Sequence, residues 1–424
     1  MNSRKSRDLA RPFLRALPNS GYTLQRVKTQ RSRIPGADGL RTIGCLMVVW
    51  HHTTQRFNPE DAPSWLQNIH FFGMRAEVGV SLFFVLSGCL LSLPFWSAFL
   101  SGEPLPRIRH YVLNRAARIV PAFWINLIFC TLLALWIFDQ GVNWWRFISG
   151  LLFINSYHFS TFFPAELNGP LWSIGLEVSC YVLLPIVLLA IIKSTKKFSI
   201  ALVSLVSWII VLQLINPWII ETFMTSDDLK GWQYGLTGGA KQWLPYWNIN
   251  TFFTQFLLGS LAALLITWIR FKKLQSRYLF DLNAVIFALA AVFLVARRLQ
   301  PGTPDSLSHQ PYVAPYYALL MALVLVSAAF SSKISYILDN RLFRWLAKLS
   351  FSIYLWHMVI ITLIERKISS EYVYYGLTSI WQWVGISTFV LVGSVLISAA
   401  SWRWVESPIL QKARKRTSSI KLPI

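Results

Sequence analysis

The sequence predicts an all-α, polytopic membrane protein with about ten transmembrane helices, and two observations support this fold class. Of the 424 residues, 54% are hydrophobic and only 14% are charged, with a mean hydropathy of +0.47. That balance is too apolar for a soluble domain of this length. Apolar runs near the length of a bilayer span also recur from residue 40 to residue 404. These runs are continuous, whereas a transmembrane β-barrel would show short alternating segments.

Ten apolar segments are predicted to be spans. They are 38–56, 78–100, 119–138, 171–192, 199–219, 250–269, 280–296, 312–331, 350–365 and 379–402. An eleventh stretch, NWWRFISGLLFIN at 143–155, is apolar but short, and Arg146 interrupts it. Hydropathy alone therefore leaves the status of this stretch open.

The distribution of basic residues favours ten spans, because lysine and arginine collect on the cytoplasmic side of a membrane. If 143–155 does not cross and the N-terminus is inside, 29 Lys and Arg face inward and 9 face outward. If it crosses, the split becomes 19 against 19. We therefore expect both termini to be cytoplasmic and 143–155 to form an interfacial or re-entrant helix. The same rule accounts for the net charge of +22, so no nucleic-acid partner is expected.

The predicted organisation is one membrane domain, 37–409, between two basic cytoplasmic tails, 1–36 and 410–424. The first tail has no apolar core of a signal peptide, and we expect it to be disordered or to lie on anionic membrane lipid. The protein is predicted to be a multi-pass integral protein of the plasma (inner) membrane. No metal site and no disulfide framework are expected, because all the cysteines lie in apolar segments without the required spacing: Cys45, Cys89, Cys130 and Cys180.

The first predicted span contains two ionisable residues that share one helical face. Arg41 and His52 are 11 residues apart, which is close to three whole turns and a rise of about 16 Å. His51 points away from that face by most of a quarter turn. A flanking arginine and an interfacial histidine would explain the two residues separately, but intramembrane ionisable groups on a common face usually line a cavity or a path.

Two arginines, Arg115 and Arg118, lie one turn apart at the cytoplasmic edge of the third span. Guanidinium groups at this spacing can bind phosphate bidentately, although ordinary positive-inside flanking residues would look the same.

Further polar residues lie inside later spans. Glu177 is an isolated carboxylate in the fourth span, and needs a partner, a proton or water. His357 lies in the ninth span, two turns after Ser350. Either residue can be part of a site or a hydrogen-bonded structural group. At the end of the tenth span we expect Arg403 and Glu406 to pair locally. In 78–94, small residues spaced through an apolar helix predict close helix packing.

Six stretches, in this order, resemble the motifs of the acyltransferase 3 family of integral membrane O-acyltransferases. The stretches are DGLRTIGCLMVVWHH, GVSLFFVLSG, RAARIVPAFW, LWSIGLE, SFSIYLWH and SWRWVESP. The resemblance covers about 37–409 and implies about ten membrane helices. Two positions depart from the family pattern: Ser81 stands where many members have an acidic residue, and Cys89 stands where an aromatic residue is common.

The resemblance implies transfer of an acyl group, often acetyl, from a cytoplasmic donor to a hydroxyl of an exported or envelope glycan, lipid or small molecule. It implies acetyl-CoA or another acyl-CoA as donor substrate, with no metal. Arg41, Arg115 and Arg118 are the expected ligands of the donor phosphates. His52 is the expected general base, with Glu177 orienting a histidine or holding the acceptor, and His357 as the competing base or an oxyanion stabiliser.

Two other functions remain open at this stage. A transporter or flippase of a glycan intermediate would use the buried ionisable residues as a substrate path, and a silent scaffold would bind polysaccharide assembly proteins. Aromatic residues in the loop 220–249 would either stack on a sugar acceptor or form an interfacial belt. The sequence leaves the acceptor unnamed, with a glycan or lipid-linked sugar expected.

Overall fold

The computed structural model describes residues 33–223, 244, 246–273, 277–298 and 315–418. Two compact units divide the chain, residues 1–34 and 35–424, and all the helices named below belong to the second. The predicted tail 1–36 lies almost entirely outside the described residues, as does most of the aromatic loop 220–249.

Regular structure in the described residues is helical, apart from an isolated bridge between Phe57 and Leu377. Short 3-10 turns and one π turn connect or extend the helices. The helices are α1 (Ala37–Thr54), α2 (Ser64–Arg75), α3 (Gly79–Ser101), α4 (Ile108–Trp136), α5 (Trp144–Leu151), α6 (Trp172–Ser194), α7 (Phe198–Phe223), α8 (Ile249–Lys272), α9 (Arg277–Arg298), α10 (Tyr316–Phe330), α11 (Lys333–Leu338), α12 (Arg341–Lys367), α13 (Ile380–Ser401) and α14 (Ser407–Ser418).

Eight helical segments of the described residues are long and apolar enough to cross a membrane, so the predicted all-α, multi-pass membrane fold is confirmed. Two of the ten predicted spans fall short of this criterion. The helix α1 carries an acid, an arginine and two histidines within 18 residues, and α10 has only 15 residues. A helix of 15 residues rises about 23 Å, which is less than the hydrocarbon core of a typical bilayer.

The helices α1 and α12 run in the same direction and pack against each other along their length. Thr42 donates a hydrogen bond to the carbonyl of Phe343 (2.8 Å), and Cys45 contacts the carbonyl of Ser350 (3.4 Å). Positions further along α1 therefore meet positions further along α12. This register brings the polar residues of the two predicted motifs side by side.

Small residues let α3 and α8 approach closely, as the sequence predicts for 78–94. A Cβ atom at Gly88 would overlap the carbonyl oxygen of Phe256, and a Cβ at Gly259 would overlap the carbonyl oxygen of Val85. The thiol of Cys89 is fully buried in the same region. The contact holds α3 in place, and α3 forms one wall of the candidate site.

The doubtful stretch 143–155 contains α5, a helix of eight residues. Asn143 caps its first turn, and Arg146 is held by Glu166 at 2.6 Å. A helix of this length rises about 12 Å, less than half of a bilayer's hydrocarbon core. Trp144 and Trp145 are exposed, which is typical of a helix at a membrane interface.

The C-terminal segment continues as helix beyond the tenth predicted span. A π turn at Trp402–Glu406 joins α13 to α14, and the predicted basic tail 410–424 begins inside α14. The π turn changes the direction in which Glu406 projects relative to a regular helix, which matters for the site.

Candidate active site

Four of the six predicted site residues line one cavity between α1, α3, α4, α6 and α12. The cavity has an empty volume of about 630 Å³, part of it open to solvent. The predicted residues in its lining are Arg41, Arg115, Arg118 and Glu177. With three guanidinium groups against one carboxylate, this cavity favours an anionic ligand.

Arg41 and Arg115 have no hydrogen-bond or ion-pair partner among the described residues, although both lie in the cavity wall. The positive charge of Arg118 is repelled by the charges of Arg41 and Arg115. An uncompensated charge in a membrane interior is costly. These two guanidinium groups are therefore the ones available to a ligand.

Arg118 differs from Arg41 and Arg115, because its guanidinium already has a partner in a buried ion pair. Its Nη1 lies 3.1 Å from Oε2 of Glu406, and its Nη2 donates to the carbonyl of Lys348 (3.2 Å). Glu406 is only 1% exposed and also accepts a hydrogen bond from Ser352 at 2.5 Å. The expected local pairing of Arg403 with Glu406 is therefore wrong, because the π turn directs Glu406 across the fold to α4.

Glu177 lies on the cavity wall and does not contact either predicted catalytic histidine. Its Oε1 accepts hydrogen bonds from Ser87 (2.8 Å) and from the hydroxyl of Tyr181 (2.6 Å). Two hydroxyl donors on one oxygen stabilise a carboxylate away from water. The expected role of Glu177 in orienting a histidine has no support in this geometry. Glu177 instead lines the same cavity as the three arginines.

His52 and His357 come together across α1 and α12. His357 Nε2 lies 3.2 Å from His52 Nδ1, and the ring centroids are 5.0 Å apart. His357 is fully buried, whereas His52 is partly exposed. The two motifs that carry these histidines are 305 residues apart in sequence, and the parallel register of the helices joins them.

The backbone contacts of this pair define which nitrogen of each ring carries the proton. His52 Nδ1 lies 2.9 Å from the carbonyl of Val48, and His357 Nδ1 lies 3.2 Å from the carbonyl of Ile353. A carbonyl only accepts, so each Nδ1 is the protonated nitrogen of a neutral ring. The single Nδ1–H of His52 is then shared between the Val48 carbonyl and the Nε2 of His357, which both accept it. The Nε2 of His52 keeps a lone pair with no partner among the described residues.

His51 and Glu77 form a second polar pair beside the histidines. His51 Nε2 is 3.6 Å from Glu77 Oε2, and the His51 ring packs edge-on against His52 at 5.0 Å. Glu77 lies one helical turn before Ser81, whose buried hydroxyl has no hydrogen-bond partner among the described residues. The chain thus has a carboxylate one turn away from the position where many family members have an acidic residue.

The loops that follow α1 and α12 hold the histidine ends of the two helices together. Leu377 donates its N–H to the carbonyl of Arg56 (2.9 Å), and the Arg56 guanidinium pairs with Glu365 at 3.0 Å. The hydroxyl of Tyr372 is buried beneath them, and burial raises its pKa above the usual value. These contacts fix the spacing of the two rings.

Tyr354 separates the cavity from the histidine pair. It lines the cavity, and its ring centroid is 5.8 Å from that of His357. Its hydroxyl contacts Ser173 Oγ (2.7 Å) and the carbonyl of Pro170 (2.8 Å). Neither His52 nor His357 lines the cavity, so the cavity itself does not extend along the whole of the predicted passage from Arg41 to His52.

The residues of the cavity suit a phosphate-bearing ligand, because two guanidinium groups without partners among the described residues face it. No group of three or more His, Cys, Asp or Glu in the described part of the chain is placed to hold a metal ion.

A family model described as an acyltransferase domain matches residues 34–399. The chain belongs to the acyltransferase 3 family. The match covers most of the chain and includes five of the six motifs used in the sequence analysis, whereas the last motif, SWRWVESP, begins at Ser401, just beyond the matched residues. No solved structure matches the chain.

Curated relatives of this acyltransferase 3 chain include proteins of three bacteria. It is 23% identical over 407 residues to the peptidoglycan O-acetyltransferase OatA of Listeria monocytogenes, covering 89% of this chain and 56% of the relative. It is 25% identical over 410 residues to the putative peptidoglycan O-acetyltransferase YrhL of Bacillus subtilis, covering 90% and 56%. A putative O-acetyltransferase of Staphylococcus aureus is 22% identical over 400 residues, covering 90% and 58%. The chain thus spans little more than half the length of these relatives.

The sequence analysis missed Tyr354, Ser173 and Glu77. Tyr354 lies three residues before His357 on the same helical face, and Ser173 lies four residues before Glu177, so helical spacing from a predicted site residue would have indicated both. Glu77 was the less visible residue, because it precedes the apolar run of its span and looks like a loop carboxylate.

We predict that Arg118 and Glu406 depend on each other for stability. Glu406→Ala leaves a buried guanidinium unpaired and should lower the free energy of unfolding by about 3–5 kcal/mol. The double variant Arg118→Met/Glu406→Leu should be destabilised less than Glu406→Ala, because no charge remains unpaired. Denaturant unfolding of the purified protein in detergent micelles measures both, with Arg109→Met on the same helix as control. A double variant less stable than Glu406→Ala would contradict the assignment.

Proposed function

We propose that this acyltransferase 3 chain is a membrane O-acetyltransferase that takes an acetyl group from acetyl-CoA and transfers it to a hydroxyl of an envelope glycan. The observation that carries the proposal is the arrangement along the parallel pair of α1 and α12. Guanidinium groups without partners lie in a cavity at one end of the pair, and an imidazole with a lone pair lies at the other end. The names of the relatives refer to O-acetyltransferases, and a transporter or flippase gains no support from them.

The proposed topology has ten spans in the plasma membrane, with both termini and the arginine cavity on the cytoplasmic side. Helix directions support it: α1 and α12, the first and ninth predicted spans, run parallel. Parallel helices need an odd number of crossings between them, and seven predicted spans provide it. If α5 also crossed, α1 and α12 would run antiparallel.

Cysteine labelling on intact cells tests this topology, with the four native cysteines replaced. Gly141→Cys and Ser370→Cys, at exposed positions on the outer side, are expected to react with a membrane-impermeant maleimide. Lys196→Cys and Arg341→Cys, at exposed inner positions, are expected to react only after permeabilisation. Labelling of Lys196→Cys on intact cells would mean that α5 crosses and that the ten-span topology is wrong.

The donor is proposed to bind with its diphosphate on Arg41 and Arg115. These groups have the charge and the fork geometry that phosphate oxygens require. Arg118 contributes positive charge but keeps its contact with Glu406. The pantetheine arm would extend along the α1–α12 pair towards His52, a rise of about 16 Å from Arg41.

The proposed reaction is direct transfer, with His52 as general base. His52 Nε2 takes the proton of the acceptor hydroxyl while that oxygen attacks the thioester carbonyl carbon. The tetrahedral intermediate collapses with cleavage of the C–S bond, and the departing thiolate takes the proton from the imidazolium. The products are the acetyl ester and coenzyme A as the free thiol. His357 accepts from His52 Nδ1–H, which orients the base and spreads the charge of the imidazolium.

We predict that His52→Ala lowers the rate of acetyl transfer by about 10²–10⁴-fold, the usual contribution of a general base. His357→Ala should cost less, because the Val48 carbonyl still holds the Nδ1–H of His52. The measurement is acetyl-CoA turnover in proteoliposomes with peptidoglycan fragments as acceptor, and His158→Ala, a loop histidine, serves as control. Loss of activity in His357→Ala with a near-normal His52→Ala would reverse the assigned roles.

Arg115→Ala is predicted to raise the KM for acetyl-CoA by about 10–100-fold, from the loss of one charge-assisted contact to phosphate. Its thermal stability should change little, since no protein group loses a partner. Arg109→Ala, six residues earlier on the same helix and exposed, is the matched control. A KM equal to that of the wild type would show that Arg115 does not bind the donor and is only a cytoplasmic flanking residue of its span.

The acceptor is proposed to be peptidoglycan or a related envelope glycan, because the two first relatives are named for peptidoglycan. Mass spectra of envelope glycans from a deletion strain and its parent test this. The proposal requires acetyl increments on one glycan class that disappear with the gene and return on complementation.

A further inference from the structure

A second space, the α4–α6 groove, lies between two membrane-spanning helices beside the arginine cavity. Its empty volume is about 960 Å³, part of it open to the surroundings. The groove begins at Ile108, the first residue of α4, and reaches Val120 and Phe153. Two of its lining residues, Val112 and Val182, are 53% and 60% exposed. Since both helices are apolar segments of spanning length, these side chains face hydrocarbon and the groove opens to the bilayer.

The chemistry of the groove suits a hydrocarbon chain. Apart from Arg115 and two tyrosines, the described residues in its lining are apolar. The hydroxyl of Tyr111 donates to the carbonyl of Tyr181 (2.9 Å), and the hydroxyl of Tyr181 donates to Glu177 (2.6 Å). Both hydroxyls are therefore engaged within the fold. A polar ligand would find few partners in this groove, whereas an acyl chain needs none.

The length of the groove matches one leaflet of a membrane. The 12 residues from Ile108 to Val120 correspond to a rise of about 18 Å, and half of a hydrocarbon core is about 15 Å. Phe153 lines the deep end, packed against Phe123 with ring centroids 4.8 Å apart. Its φ of 59° is left-handed, which a bulky residue adopts only where its surroundings hold it.

Exposed basic residues lie at the shallow end of the groove. Arg107 immediately precedes Ile108, and Lys193 follows Leu189, a lining residue of α6, by one turn on the same helical face. Both basic residues are exposed. An acyl chain that enters the groove from this end would thus leave its headgroup near two positive charges.

The surrounding sequence reinforces this charge. The segments 102–110 and 193–198 together contain five Lys and Arg residues and one acidic residue, Glu103. In the proposed topology both segments are cytoplasmic. Basic residues at this level attract the anionic lipids of the inner leaflet.

We infer that the α4–α6 groove binds one anionic phospholipid of the inner leaflet, with an acyl chain in the groove and the phosphate at Arg107 and Lys193. The choice of leaflet rests on the proposed function, through its topology. The site itself is independent of the proposed donor, acceptor and base.

The bound lipid shares a wall with the arginine cavity. Three residues line both spaces: Arg115, Ile119 and Tyr181. The acyl chain packs against one side of this wall, and the ligand of the cavity lies on the other. The lipid is therefore a structural partner of the candidate active site, and its binding to the folded state raises the Tm.

The experiment measures lipid binding to the full chain after purification and removal of lipid in detergent. Native mass spectrometry follows the addition of dioleoyl phosphatidylglycerol or dioleoyl phosphatidylcholine, which have the same chains and differ in net charge. Wild type is expected to bind its first phosphatidylglycerol about 10–30-fold more tightly, the effect of two basic contacts at a membrane surface. Phosphatidylglycerol should also raise the Tm more than phosphatidylcholine does.

One variant tests the acyl-chain site. Val182→Trp places a large ring in the groove and should weaken the first binding event of both lipids by about tenfold or more, because the chain loses apolar contact. It should also remove the rise in Tm. The matched control is Val203→Trp on α7, at a position that is 64% exposed and outside the groove, which should bind both lipids like wild type.

A double variant tests the headgroup site. Arg107→Gln/Lys193→Gln should bring the affinities for the two lipids to within about threefold of each other while keeping the binding of phosphatidylcholine. Lys333→Gln/Arg341→Gln, at exposed positions that do not line the groove or flank it, is the control and should keep the preference.

The contradicting results differ from those that would contradict the proposed function. If wild type binds neither lipid, or if Val182→Trp binds phosphatidylglycerol like wild type, the groove is not a lipid site and the inference fails. If wild type binds both lipids equally, the assignment of an anionic lipid fails. Labelling of Lys196→Cys on intact cells would overturn the proposed topology, and with it the leaflet, whatever the lipid assays show.

Discussion

A polar side chain inside a membrane protein must be hydrogen-bonded, paired or hydrated, and this constraint organises the interior of the described helices. Glu406 neutralises Arg118, two hydroxyls hold Glu177, and the two histidines bond to each other and to backbone carbonyls. Against this background, the exceptions are informative. Arg41 and Arg115 have no such partner among the described residues, and the Nε2 of His52 keeps its lone pair. Other buried polar atoms of the described residues also have no partner, such as the hydroxyl of Ser81 and the side-chain amide of Gln255. Among the unsatisfied groups, Arg41, Arg115 and His52 are the ones assigned to donor binding and to proton transfer.

The helix α1 shows how one element serves both ends of the site. It carries Arg41 into the cavity and His52 to the histidine pair, and its polar residues make it less apolar than the eight segments that meet the criterion for a span. The polar residues of α1 are shielded by packing, because α3 and α12 lie against this helix and most of its residues are buried. A helix with this content is stable in a membrane only where neighbouring helices shield it.

Helical periodicity within one segment was enough to predict part of the site. It placed Arg41 and His52 on one face, and the motif order indicated the family. Pairing between distant helices could not be predicted in the same way. The partner of Arg118 is 288 residues away and is reached through a π turn. The hydroxyl of Tyr354 is likewise held by Ser173 and by the Pro170 carbonyl, more than 180 residues away in sequence. The spacing of 11 residues between Arg41 and His52 predicted a rise of about 16 Å along α1. It could not predict whether a cavity extends along that distance, because other helices form the cavity walls.

The most direct test of the account is a cryo-EM structure of the His52→Ala protein in nanodiscs with acetyl-CoA bound. The account predicts the diphosphate at hydrogen-bond distance, roughly 3 Å, from the Arg41 and Arg115 guanidinium groups. It also predicts the thioester beside Tyr354, with the carbonyl directed to the place vacated by the imidazole. Acetyl-CoA bound outside the arginine cavity, or with its thioester directed away from the α1–α12 pair, would contradict it.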